Sequence, residues 1–181
     1  MNAQRDPDPP TLRARQHLAL DMIERGEPLA ETLSLLCHIV EAEARDTVRA
    51  SILLVDHDTA TLRTGAAPGL PDRYNRAVDG IAVSPEIGTC ARAAALNIIV
   101  ETPDIEHDPG WSGIAHLALG LGLVAAWSMP ITGADGRVLG TLGTYFTERR
   151  HPTDLEKSLV AALAATAARA IEHQRVPLAE A

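Results

Sequence analysis

Large flat side chains are scarce in this chain: its 181 residues include two Trp, two Tyr and one Phe. A core short of aromatics has to come from Leu, Ile, Val and Ala, and 46% apolar residues suffice for one. Cysteine is equally scarce. Cys37 and Cys90 are too few for a disulfide scaffold or a cysteine-based zinc site. Positive charge is in deficit, with 16 Lys and Arg against 24 Asp and Glu and a net charge of −8. That balance speaks against nonspecific attraction to nucleic acid or an anionic membrane, since both need a positive surface. No apolar h-region follows Met1, so no secretory signal is read. A membrane-spanning helix is missing too. Residues 109–134 lack Asp, Glu, Lys and Arg, but Gly110, Gly113, Gly120, Gly122 and Pro130 interrupt them and His116 lies inside. They read as a short helix followed by a buried strand. The expectation is a soluble cytoplasmic protein with a disordered Pro-rich lead at 1–10, one domain at 11–173 and a tail at 174–181.

What is present is clear periodicity. A first helix starts at Thr11, carries Leu12, Ala19 and Ile23 on one face, and stops at Gly26. A second starts near Pro28, with Leu29, Leu33, Leu36, Val40 and Ala44 at helical spacing and Cys37 on the same stripe. Ile52-Leu53-Leu54-Val55 is apolar at every position, as in a strand covered on both faces. Residues 61–66 return beside it. Short helices are expected at 72–78, 88–95 and 112–119, strands at 97–101 and 122–131, and residues 80–83 stay ambiguous. Asp135-Gly136 signals a hairpin into a strand at 137–147, with Val138, Leu142 and Phe146 on one face. Thr153 and Glu156 form a capping box for the last helix. That helix carries two apolar stripes: Leu155, Leu159, Leu163, Thr166 and Ala170, and beside them Val160, Ala164, Ala167 and Ile171. A face this wide exceeds one sheet contact. It predicts dimerisation, the alternative being packing against the chain's own first helix. The order of elements indicates an α+β sandwich.

Several segments carry a resemblance in their order and spacing: Ala66-Ala67-Pro68-Gly69-Leu70-Pro71, Ile87-Gly88-Thr89-Cys90, Asp104-Ile105 with Asp108-Pro109-Gly110-Trp111, Ala126-Trp127-Ser128-Met129-Pro130-Ile131, and 135–141. Across 29–173 the chain resembles the GAF domains of bacterial sensor kinases and cyclic-di-nucleotide enzymes. The resemblance implies a six-stranded antiparallel sheet with the terminal helices on one face and short helices and loops on the other. It also implies a ligand pocket under the short helices, a sensory or regulatory role, and dimerisation through the terminal helices. One departure stands out. Related domains usually read Ser-Cys-Gly-Thr-Ala-Ala where this chain has Thr89-Cys90-Ala91-Arg92-Ala93-Ala94. Arg92 thus puts a bulky charge where a small polar residue is usual, able to fill or recharge the pocket.

The candidate ligand-binding residues are Cys90, Arg92, Asp104, Trp111 and Trp127. Cys90 sits at a predicted helix start, where backbone N–H groups stabilise a thiolate; tight packing of helix on sheet explains it equally. Asp104 is placed to hydrogen-bond loop backbone near the pocket. Asp108 before Pro109 suits an N-cap. Trp127 is read as a pocket floor or as core filling. The acidic loop holding Glu101, Asp104, Glu106, His107 and Asp108 matches no cation cage, so no metal is assigned. Arg149-Arg150-His151 reads as a solvated basic tip and not as a nucleic-acid footprint.

The functional expectation is a stand-alone module that binds a small molecule and passes its signal to its own dimer or to a separate signalling partner. No catalytic residue and no cofactor is assigned. Two alternatives are carried. One is a thiol reductase of the free methionine sulfoxide type using Cys90, which needs a resolving thiol nearby. The other is a haem or tetrapyrrole sensor, with His107 and His116 near the expected pocket wall.

Overall fold

The computed structural model describes residues 11–44 and 47–175. The lead expected at 1–10 and residues 176–181 of the expected tail lie outside the described residues. Helix α1 (Leu12–Glu24) is capped by Thr11, whose hydroxyl accepts from the Ala14 N–H, and α2 (Leu29–Glu43) follows Pro28. The strands are β1 (Val48–Asp56), β2 (Thr61–Ala66), β3 (Ile81–Ala82), β4 (Val100–Thr102), β5 (Ala125–Thr132) and β6 (Val138–Phe146). Between them lie α3 (Asp72–Val78), α4 (Cys90–Leu96), a 3-10 turn at Pro109–Trp111 and α5 (Ala115–Leu119), and α6 (Asp154–Arg175) closes the chain. The strands form one antiparallel sheet in the order β3-β2-β1-β6-β5-β4. The α+β sandwich and its six strands agree with the sequence reading.

Alternation along the three central strands sorts side chains between two layers. Ala50, Ile52, Ala125, Trp127, Ile131, Leu142 and Phe146 join α1, α2 and α6 in the largest apolar cluster. Leu33, Leu36, Ile39 and Leu163 fill it from the helices and are fully buried. Burying each such side chain contributes about 1.5–3 kcal/mol. The opposite face is divided. One cluster gathers Leu70, Tyr74, Ile105, Trp111, Leu123 and Tyr145 beneath the loops. Another gathers Leu53, Val55, Leu62, Cys90, Ala91 and Ala94 beneath α4.

The width of α6 has an internal explanation. It packs on α1, α2, β5 and β6 together, so Val160, Leu163, Ala164, Ala167, Ala170 and Ile171 are all buried within one chain. Packing on the chain's own helices, the alternative in the sequence reading, therefore absorbs the apolar surplus. Leu155 is the exception, at 81% exposure. The capping box is in place, with the Thr153 N–H donating to Glu156 Oε2 at 2.8 Å and the Glu156 N–H donating to Thr153 Oγ1 at 3.2 Å.

Two expectations need correction. Leu139, not Val138, joins Leu142 and Phe146 on the helix-covered face, and Val138 packs beneath α4. The cause is a register shift between Ile131 and Thr132, which reverses the alternation at the start of β6. The helix expected at 112–119 is shorter, α5 at Ala115–Leu119, and the 3-10 turn at Pro109–Trp111 lies before it. The Asp135-Gly136 turn forms as expected, with Gly136 at φ +81° and the Arg137 N–H donating to Asp135 Oδ1. Among the described residues, no helix is long and apolar enough to cross a membrane.

Candidate functional site

The seam between the two clusters on the short-helix face is polar. Gly143 is the register partner of Ser51 on one side and Ser128 on the other. Both serines are buried, and the missing side chain between them lets α4 set its first residue onto the sheet. There the Cys90 thiol lies 3.0 Å from the Ser128 hydroxyl and 4.0 Å from the Tyr145 hydroxyl. The Tyr145 hydroxyl in turn lies 3.4 Å from that of Ser51. Tyr74 packs edge-on against Tyr145, with ring centroids 6.0 Å apart and planes at 85°. Burial pushes both phenols above their ordinary range. They are neutral hydrogen-bonding groups at physiological pH.

Above this cluster is a small inner chamber of about 30 Å³, lined by Leu53, Tyr74, Ile87, Cys90, Trp111, Ile114 and Tyr145 among others. It has room for about one water molecule. Trp111 is 3% exposed, and its indole Nε1 is buried without a partner among the described residues. An outer groove of about 690 Å³ adjoins the chamber, lined by Glu86, Ile87, Arg92, Asp108, Ser112 and Ile114 among others. Ile87 and Ile114 line both spaces and so form the partition between them.

A hydrogen-bonded loop builds the groove. Asp108 accepts at 2.8 Å from the Gly110 N–H and from the Thr102 hydroxyl, which is the N-cap expected of it. The Gly88 N–H donates to Gly110 O at 2.7 Å, tying the two loop segments together. Gly88 adopts φ +52°, a left-handed conformation that favours glycine, and an added Cβ would meet Ile114 Cδ1 at 3.3 Å. Arg92 approaches Asp108 loosely, at 3.4 and 3.5 Å to its two oxygens. Its guanidinium lies along the groove wall and does not enter the inner chamber.

Cys90 and Trp111 thus line the inner chamber, and Arg92 lines the groove that adjoins it. Trp127 does not join them. It is fully buried on the helix-covered face, because alternation turns its neighbours Ala126 and Ser128 toward the short helices. It is not the floor of this pocket. Asp104 is also elsewhere, in a surface cluster 2.9 Å from His107 Nδ1 and 3.0 Å from Arg149 Nε. Asp104, Glu106 and His107 bring ligand atoms within 4.8 Å of one another, but Arg149 already bridges the two carboxylates. Ser51, Ser128, Tyr74 and Tyr145 were not among the sequence candidates. Period-two counting from Trp127 was the one signal that pointed to Ser128.

The alternatives can be set against this geometry. Cys37 is fully buried in the cluster of the helix-covered face, and Cys90 is on the opposite face. Burial pushes the Cys37 thiol far above its usual range. A resolving partnership between the two is therefore blocked by the sheet. His107 is exposed, and His116 lines a separate depression with Arg73 and Leu117. Neither histidine lines the inner chamber or the outer groove.

The family model for the GAF domain matches residues 26–172. A methyl sulfide methyltransferase-associated sensor from Methanosarcina acetivorans is 34% identical over 158 residues, which is 87% of this chain. The chain spans only 16% of that relative's length. Two solved structures share the fold at low identity. The GAF domain of a phosphoenolpyruvate-protein phosphotransferase from Coxiella burnetii superposes with TM-score 0.72 at 18% identity, covering 91% of this chain and 94% of that one. Free methionine-R-sulfoxide reductase from Neisseria meningitidis, solved with its substrate, gives TM-score 0.71 at 16% identity, covering 97% and 98%.

Proposed function

The chain belongs to the GAF domain family, and from that premise we propose that it is a sensory module that binds a small molecule in the groove above α4. The observation that carries this reading is the buried, unpartnered indole N–H of Trp111 in the wall of the inner chamber. An unmade hydrogen bond to a buried donor costs about 1–3 kcal/mol, which a ligand carrying an acceptor recovers. The ligand would occupy the groove and push its acceptor past Ile87 and Ile114 toward Trp111 and Cys90. Arg92 and Asp108, held by a long contact, would re-pair around it. A population shift of the loop at 88–111 then follows, provided the ligand favours one loop state over the other.

The output side of this proposal is the layer of α1, α2 and α6. Leu18 on α1 and Leu155 on α6 are its exposed large apolar residues, and they support pairing of two copies or contact with a separate signalling protein. Both cysteines are free thiols, which suits a reducing, cytoplasmic compartment. The likeness to a sensor relative supports the same reading. Reductase chemistry is the second reading, supported by the fold shared with the Neisseria enzyme and opposed by the separation of Cys37 from Cys90.

Native mass spectrometry of protein purified from its own host tests the binding proposal. A retained small molecule, lost in Trp111→Phe while the fold is preserved, is expected. Retention by Trp111→Phe at the wild-type level would move the ligand away from this chamber.

A further inference from the structure

The other face of the sheet holds a second cavity, between β5, β6, the amino-terminal ends of α1 and α6 and the carboxy-terminal end of α2. It measures about 180 Å³ and is walled by Leu12, Val40, Ala44, Leu155, Leu159 and Val160. Trp127 and Thr144 also line it; they are register partners on β5 and β6, 0% and 3% exposed. The Trp127 indole Nε1 and the Thr144 hydroxyl are both buried without a hydrogen-bond partner among the described residues. The two residues are neighbours across the strand pair and both line the cavity, and buried polar groups are almost always satisfied in a folded protein. The indole can only donate, and the hydroxyl can donate or accept.

The charges at this cavity are already matched. Glu43 is faced by Arg15 at 3.9 Å, and Glu156 is held by both terminal nitrogens of Arg150 at 2.7 and 2.8 Å. Among the described residues a charged guest would find no free counterion here and would lose its hydration. The volume is on the scale that accepts a benzene-sized molecule.

We propose that this cavity is a second small-molecule site, for an uncharged, mainly aliphatic compound whose carbonyl or ether oxygen accepts from Trp127 and Thr144. A carbonyl oxygen has two lone pairs for the two donors. The site lies among the helices proposed to carry the output, so its occupant would bear on them without entering the groove above α4. It stands on different residues from that groove, and either site can fail without the other.

Cyclohexanone is the probe, and the indole N–H signal of Trp127 in a proton–nitrogen correlation spectrum is the readout, assigned by comparison with Trp111→Phe. The expected result is a saturable shift of that signal. Benzene, of similar size but lacking the acceptor, should bind at least fivefold more weakly, and Thr144→Val should weaken cyclohexanone at least threefold. Val160→Phe, or Leu159→Phe if the first fails to fold, should abolish the shift by filling the space. A signal that does not saturate, that shifts equally in the filled variant, or that keeps a long-lived water contact cyclohexanone cannot displace would overturn the proposal.

Discussion

Cys90 rests directly on Gly143: a Cβ added to the glycine would lie 2.9 Å from the Cys90 sulfur. It would also come within 3.2 Å of Ser51 Oγ and 3.4 Å of Ser128 Oγ. The close seating of α4 on the sheet therefore depends on that missing side chain. Gly143→Ala should force α4 outward and cost about 1–3 kcal/mol, the range for overpacking. Urea denaturation should register the loss as a lower midpoint with an unchanged slope, and an unchanged midpoint would contradict the seating described.

Sulfoxide reduction is expected to be absent. The chain has two cysteines, and they occupy opposite faces of the sheet. A thioredoxin-coupled assay with free methionine sulfoxide should give no turnover for wild type or for Cys90→Ser. Turnover that vanished in Cys90→Ser would instead establish the enzyme reading.

Asp108 is the clasp of the groove loop, since it holds Thr102, Gly110 and, more loosely, Arg92. Removing its carboxylate leaves a part-buried hydroxyl and a backbone N–H unpaired. Asp108→Ala should cost about 1–2 kcal/mol and speed hydrogen exchange at Gly88 and Gly110. Arg92→Ala should change stability by less than about 1 kcal/mol, because its contact is long and partly exposed.

The carboxyl of Glu156 is held at about 2 in the folded chain, first by its hydrogen bonds with Arg150. A free glutamate titrates near 4.3. A depressed folded value means that the unfolded chain binds the proton more readily, so the contribution is fully present above about pH 5 and disappears as pH falls toward 2. Glu156→Gln keeps the capping geometry and loses the charge. It should be less stable than wild type by about 1 kcal/mol at pH 7, a modest figure because the pair is partly exposed. The gap should close between pH 5 and pH 2 in urea melts taken across that window.

Pairing through the terminal helices has to rely on what the fold leaves uncovered. With the small-residue stripe of α6 buried internally, Leu155 at 81% exposure and Leu18 at 45% are the large apolar contacts available on these helices among the described residues. Sedimentation at micromolar concentration should show a dimer that Leu155→Glu together with Leu18→Glu converts to monomer. Monomer alone in the wild type would leave a separate partner as the output.

The sequence by itself was enough to establish the three long helices, the capping box of α6, the N-cap at Asp108, the Asp135-Gly136 turn, and the doubly covered strand at 52–55. Those signals are local: Thr153 reads Glu156 three residues away, and a turn is written in two residues. It also carried the α+β class, because the order of periodic segments leaves few ways to cover one sheet. Tertiary structure alone decided which face each strand residue serves. Trp127 went to the helix-covered layer and Ser128 to the face beneath α4 because register moves in steps of one residue, and each step exchanges the two faces. The shift beside Ile131 did the same to Val138 and Leu139. Asp104 left the pocket because Arg149, distant in sequence, meets it in space. Likewise, α1 and α2 buried the stripe of α6 that the sequence had offered to a second copy. Each of these outcomes depends on contacts between residues far apart along the chain, which local propensity does not encode.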